Sequence, residues 1–186
     1  MRMWLRLFPR LVVLVVLLGF LLSPQSFEFV FRPLVQTNAP VIYNQGELAT
    51  LTLLHVRMVL FATLLAAMIA VLLAILVTRP VGAEFLPLAR TIVNIGQTFP
   101  PVAVLALAVP ATGFGNKPTL IALFLYALLP IFENTMTALT SVPRAVADAA
   151  KGSGMTAWQS FWKIELPLSL PMIVGGIKIS AVIGFG

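Results

Sequence analysis

The stretch DAAKGSGMTAWQSFWKIELP, residues 148–167, governs the reading of the whole chain. It is small, polar and rich in helix-boundary residues, yet apolar sequence lies on both sides of it. Just upstream, Ser141 is placed to cap a helix with Pro143 in its first turn, where the missing N–H costs nothing. That helix carries Val142, Val146, Ala149 and Ala150 on or near one face, with charge from Asp148 and Lys151. Gly152 and Gly154 end it, because glycine accepts the left-handed backbone of a helix C-cap. Thr156-x-x-Gln159 is a capping-box pattern that starts a second helix. On that helix Trp158, Phe161 and Trp162 share one side at i, i+3 and i+4 spacing, and Pro167 ends it. Two short helices set at an angle result, with a small-residue face and an aromatic cluster. Three roles suit such a hairpin: docking to a partner, lying on lipid headgroups, or packing on the chain's own helix ends.

Outside the hairpin the chain is strongly apolar. Its 186 residues are 60% hydrophobic and 10% charged, against about 45–50% and about 25% in a soluble domain. The excess sits in long charge-free runs, the mark of membrane-spanning helices. The fold class this predicts is all-α, a polytopic transmembrane helical bundle. Truncation at the C-terminus is expected too, because residues 181–186 bring no stop signal, basic flank or polar tail. A net charge of +6 would suggest nucleic acid in a soluble protein. Here the positive groups cluster at the ends of apolar runs, so the membrane explains them and no nucleic-acid partner is expected. The absence of cysteine excludes disulfides and thiolate metal sites. With one histidine and no HExxH, GxxxxGK[ST] or GxGxxG pattern, no catalytic, metal or ATP site can be assembled from this chain alone.

The runs order themselves along the chain. Arg2, Arg6 and Arg10 precede a charge-free run over residues 11–27, a start that a cleavable signal peptide would share; with no small-x-small cleavage site after it, the run reads rather as an uncleaved first helix with a cytoplasmic N-terminus. Phe27, Phe29 and Phe31 beyond it suit an interfacial belt. Residues 32–46 read as an extracytoplasmic loop. The second span covers residues 58–78 and stops at Arg79-Pro80, with His55 at its outer start. The third covers residues 91–116, kinked in mid-span by Pro100-Pro101. GFGNKP, residues 113–118, is a turn before a fourth span over residues 119–141. A fifth span begins near Pro171. Arg2, Arg6, Arg10, Arg79, Arg90, Arg144, Lys151 and Lys163 then fall in cytoplasmic segments, against Arg32, Arg57 and Lys117 outside. That bias puts the hairpin in the cytoplasm.

Polar groups within the spans are candidates for a translocation path: Gln97, Pro100, Glu133, Asn134 and Lys178. Glu133 and Lys178 lie about 12 and about 10 Å of helix from the same inner surface. They are expected to neutralise one another inside the bundle, or else to snorkel separately. Gln97, Thr98 and Asn134 line the path or hydrogen-bond between helices. Phe124, Tyr126 and Phe132 could offer π faces to a quaternary ammonium group, or simply pack.

The hairpin carries a resemblance. Asp148-Ala149-Ala150, three residues, Gly154, nine residues, then Ile164-Glu165-Leu166-Pro167 is similar to the EAA loop, EAA-x3-G-x9-I-x-LP, of bacterial ABC importer permeases. Asp148 stands where glutamate is usual, one methylene shorter. Residues 97–110, 113–135 and 150–156 also resemble the osmoprotectant branch, whose members import glycine betaine, choline, carnitine and related compounds. Permeases for methionine and other small solutes share the layout. The resemblance covers roughly residues 55–186. It implies a type I ABC importer permease fold, incomplete here. Residues 1–50 would form an N-terminal helix and outer loop, and residues 51–186 the permease domain with its cytoplasmic coupling loop at 141–168. It further implies that Asp148, Ala149, Ala150, Gly154, Trp158, Ile164, Leu166 and Pro167 engage a cytoplasmic ABC ATPase dimer. ATP and Mg would be held by that partner, and no cofactor by this chain. A second permease subunit, identical or different, and an extracytoplasmic solute-binding protein complete the expected assembly in the bacterial inner membrane. A rival of another class is a non-transporting membrane scaffold that recruits a cytoplasmic partner through the aromatic loop.

Overall fold

The computed structural model of the chain describes residues 2–35, 40–42 and 46–186. Of the expected outer loop, residues 36–39 and 43–45 therefore lie outside the described residues. Every regular element among the described residues is helical. The chain divides into two compact units, Met1–Val56 and Arg57–Gly186.

In the first unit, α1 (Arg2–Leu22) carries the expected apolar run. Ser23 leaves helical geometry, and Pro24 opens a 3-10 turn, Pro24–Phe27, followed by α2 (Glu28–Phe31) and a second turn, Arg32–Leu34. The path bends by 117° between Leu7–Leu22 and Pro24–Leu34. Phe27 and Phe31 fold back onto Phe20, at ring-centroid distances of 5.4 and 6.0 Å. Of the three phenylalanines expected to form a belt, Phe29 is the most exposed.

α3 (Leu48–Thr78) begins upstream of the expected Met58, so His55 lies inside it rather than at its start. Polar residues do not prevent helix; they only end the apolar window by which the span was recognised. In the second unit, Val59, Ala62, Ala66, Ala70, Ala74 and Val77 recur every three or four residues and are buried. Leu60, Leu64, Leu72 and Leu76 stay exposed, a face suited to lipid. α3 stops at Thr78, as the Arg79-Pro80 signal requires.

The expected mid-span kink is instead a rupture. α4 (Leu86–Thr98) and α5 (Pro101–Thr112) are separate helices, and the segments Ala83–Thr98 and Pro101–Thr112 are bent by 97°. The cause is local. A residue before proline is pushed out of helical geometry, and here two successive residues precede prolines. Phe99 sits at φ −108°, ψ 145° and Pro100 at φ −57°, ψ 146°. One proline bends a helix; two adjacent ones force two extended residues and end it.

Gly113 and Gly115, both at positive φ, make the expected turn into α6 (Asn116–Thr140). Then come α7 (Arg144–Gly152), α8 (Ala157–Ser160), a π-helical turn over Phe161–Glu165, and α9 (Leu166–Phe185). The fifth span thus starts well before Pro171: Ala157–Phe185 is one helical path of 29 residues. By length and composition that path, Leu48–Thr78 and Asn116–Thr140 can each cross a membrane, giving up to five crossings if each bent pair is one span.

The core of the second unit joins the α3 alanines to Ala89 and Val93 of α4 and Ala127, Leu128, Ile131 and Phe132 of α6. Small residues let the helices close up, as packing between membrane helices favours. A Cβ at Gly96 would lie 2.3 Å from the Leu125 carbonyl oxygen of α6, and one at Gly176 of α9 would lie 2.7 Å from Asn134 Cβ. Ser180, one turn past Gly176, donates from Oγ to the Ala127 carbonyl at 3.0 Å.

Candidate functional site

The hairpin between α6 and α9 is built largely from local chemistry. Ser141 does not start α7; it closes α6, its N–H bonded to Thr137 O and its Oγ donating to Ala138 O. Pro143 takes the N-cap position of α7 instead, with no side-chain cap. The helix therefore starts two residues later than Ser141 capping would allow, because a helix cannot include the residue before a proline without strain.

α7 ends in a Schellman motif. Met155 N–H bonds to Ala150 O at 3.1 Å and Gly154 N–H to Lys151 O at 2.9 Å, with Gly154 at φ +77°. Gly152 remains within the helix and Gly154 alone supplies the left-handed residue. The fixed glycine separated by three residues from Asp148-Ala149-Ala150 is thus a backbone requirement. Thr156 then caps α8 with both arms of the capping box formed: Gln159 N–H to Thr156 Oγ1 at 3.2 Å and Thr156 N–H to Gln159 Oε1 at 3.0 Å.

The predicted loop residues divide by exposure. Ala150 is buried and Ile164 and Leu166 are half-buried, whereas Asp148, Ala149, Gly154 and Pro167 are exposed. Ala145, Val146, Ala149, Ala150, Ser153 and Ile164 line a shallow apolar hollow on the α7 side. The aromatic trio is in mutual contact, with Trp158 and Trp162 edge-on at 5.5 Å and Phe161 and Trp162 at 5.3 Å. It does not present one uniform face. Phe161 is buried, while Trp158 is 69% and Trp162 50% exposed. Pro167 does not end the helix. The π turn before it bonds Leu166 N–H to Phe161 O, and the widened ring accommodates a proline that would clash in a regular turn.

Phe161 is buried against a group that sequence reasoning treated only as an end-of-helix charge. Arg79 Nη1 donates to Glu165 Oε2 at 2.8 Å, and the Arg79 guanidinium lies 5.0 Å from the Phe161 ring centroid. Ser160 Oγ reaches the other Glu165 oxygen at 3.4 Å. No local pattern announces this cluster; only the acidic residue inside the Ile-x-Leu-Pro ending hints at it.

Among the path candidates, Glu133 does not pair with Lys178. It pairs with Arg90 of α4, Arg90 Nε to Glu133 Oε1 at 3.3 Å. The reason is angular. α9 turns Gly176 and Ser180 toward α6, and Lys178, two residues from each, points about 160–200° away; it is exposed. Gln97 bonds between helices, from Nε2 to the Tyr126 carbonyl at 3.4 Å. Tyr126 in turn donates its hydroxyl to the Phe99 carbonyl at the α4–α5 rupture. Broken backbone at membrane depth needs such partners. Asn134 Nδ2 and Thr98 Oγ1 both bond back one turn along their own helices, to Pro130 O at 2.7 Å and Asn94 O at 3.0 Å. Pro100 forms the rupture itself. Phe132 is fully buried and half-buried Phe124 packs against the core, while Tyr126 is engaged through its hydroxyl at Phe99.

These features define a class: a polytopic α-helical membrane protein whose helical path Ala157–Phe185 takes in one arm of a capped hairpin bearing exposed tryptophans. The profile of the family described as "Binding-protein-dependent transport system inner membrane component" matches residues 70–186, and the chain belongs to that family. Over 143 residues it is 40% identical to the osmoprotectant import permease protein OsmY of Salmonella typhimurium, covering 77% of this chain and 61% of that protein. It is 37% identical to the glycine betaine/carnitine/choline transport system permease protein OpuCB of Bacillus subtilis, covering 75% and 63%. Against the carnitine transport permease protein OpuCB of Listeria monocytogenes identity is 39%, again covering 75% and 63%. The matched part of the chain thus spans somewhat under two thirds of these relatives.

Proposed function

We propose that the chain is a path-forming subunit of an ATP-driven importer, and that its cargo is a quaternary ammonium osmoprotectant of the glycine betaine, choline or carnitine kind. The observation that carries the reading is the hairpin. Its Schellman glycine, capping box and exposed tryptophans make a rigid protrusion on a span that enters the bundle without interruption. A rigid protrusion of that kind passes on force, which a flexible loop could not do. The cargo class is supported by the names of the relatives.

In this reading the N-terminus and the hairpin are cytoplasmic. An ABC ATPase dimer seats on the hairpin and holds ATP and Mg, a second permease subunit faces this one, and a solute-binding protein delivers cargo from outside. Residues 1–50 form the accessory N-terminal part and 51–186 the permease domain with its loop at 141–168. Gln97, Pro100, Glu133, Asn134 and Lys178 are the proposed path candidates, Glu133 now as half of a pair with Arg90.

Labelled glycine betaine, choline, carnitine and methionine, offered to cells with and without the full-length gene, test the reading. Gene-dependent uptake of the first three, lost when residues 148–167 are deleted, is expected. Uptake of methionine alone moves the cargo class, and uptake of none points to the scaffold.

A further inference from the structure

We infer that Arg79 is a positioning residue: its clasp on Glu165 and Phe161 ties the hairpin to the end of α3, so that movement of the hairpin is delivered to α3 as well as to α9. Continuity alone makes α9 follow the hairpin, since Ala157–Phe185 is one helical path. α3 has no such continuity, and residues 79 and 165 are 86 positions apart in the chain. The link is nevertheless tight. The ion pair closes at 2.8 Å with side chains 33% and 19% exposed, and the guanidinium lies over the ring of Phe161, itself 6% exposed. A charge-assisted bond with restricted access to water is far stronger than a surface ion pair.

Its position matters as much as its strength. Both long-range contacts of Arg79 land on the π turn, Phe161–Glu165, the one wide turn in an otherwise α-helical path. Such turns are where a helix can change pitch at small cost. The clasp is also not saturated. Arg79 Nε is buried without a hydrogen-bond partner, and Ser160 reaches Glu165 only at 3.4 Å.

The consequence for transport rests on the importer reading; the clasp itself does not, and two readouts separate them. Arg79→Gln, Glu165→Gln and the charge exchange Arg79→Glu/Glu165→Arg are made in the full-length permease. In detergent, chymotrypsin cleavage at the exposed Trp162 is expected to rise about fivefold or more in each single variant and to return most of the way in the exchange. In the complex reconstituted with its ATPase, Arg79→Gln keeps partner binding and basal hydrolysis. Solute moved per ATP falls about fivefold or more and is restored by the exchange. Wild-type cleavage in both single variants overturns the clasp. Faster cleavage with an unchanged solute-to-ATP ratio overturns its positioning role. If the parent complex itself moves no solute, the importer reading falls, while the cleavage series still decides the clasp. Should a single variant not accumulate, Arg79→Lys, which keeps charge but loses the planar stack, is read instead: intermediate cleavage supports the clasp and parental cleavage opposes it.

Discussion

A methyl group at Gly96 would sit 2.3 Å from the carbonyl oxygen of Leu125, a backbone atom that cannot swing aside. Gly96→Ala must therefore push α4 from α6, at a cost of about 1–3 kcal/mol, read as a fall in thermal stability in detergent. Gly154 is the opposite case. Nothing lies within 4 Å of its added Cβ, but its φ of +77° is left-handed. Gly154→Ala should cost about 1–2 kcal/mol through backbone strain alone, and Gly154→Asn clearly less, since asparagine tolerates that region. Proteolysis across the hairpin ranks the three. At this scale the sequence was partly legible. Gly154 declared itself because a C-cap is a local demand. Gly96 did not, because its requirement comes from a helix nearly thirty residues further along.

Elements show where local signals stop. The Pro100-Pro101 pair announced an interruption but not its angle, which depends on two consecutive extended residues and on Tyr126 and Gln97 stitching the ends to α6. Replacing one proline should leave the break, because the other still excludes its neighbour from helix. Only Pro100→Ala/Pro101→Ala together should straighten it, bringing residues 94 and 107 toward the roughly 20 Å backbone spacing of a continuous helix. Spin labels at Asn94 and Leu107 report this cleanly, because the chain has no cysteine of its own. Tyr126→Phe should separately destabilise by about 1–3 kcal/mol, by stranding the Phe99 carbonyl, seen in the same melting assay. Helices and caps were readable because they repeat every few residues. The Arg90–Glu133 pair was not: Glu133 was matched to Lys178 by depth alone, and depth says nothing about which way a side chain faces.

For the whole molecule, the proposed importer reading seats the ATPase on the hairpin that carries the exposed Trp158. Trp158→Ala is expected to leave permease levels unchanged and to weaken ATPase capture about tenfold or more, measured by co-purification at graded ATPase concentration. The membrane class was legible throughout, since no soluble core needs so many charge-free runs. The π turn was invisible, because nothing in FWKIE distinguishes it from an ordinary helical turn until Arg79 and Pro167 are in place around it. That one wide turn has a reach beyond its size. The π turn holds one residue more than an α turn would, so deleting a single residue there would restore regular pitch and leave the hairpin on nearly the same bearing around the axis of α9. The room made for Pro167 would go, while the packing of Gly176 and Ser180 on α6 stayed as it was. The turn acts as a slack link between two halves of one rod, taking up a residue so that the protrusion keeps its aim, whereas the loss of one codon in the regular part of α9 would turn the hairpin by about 100°.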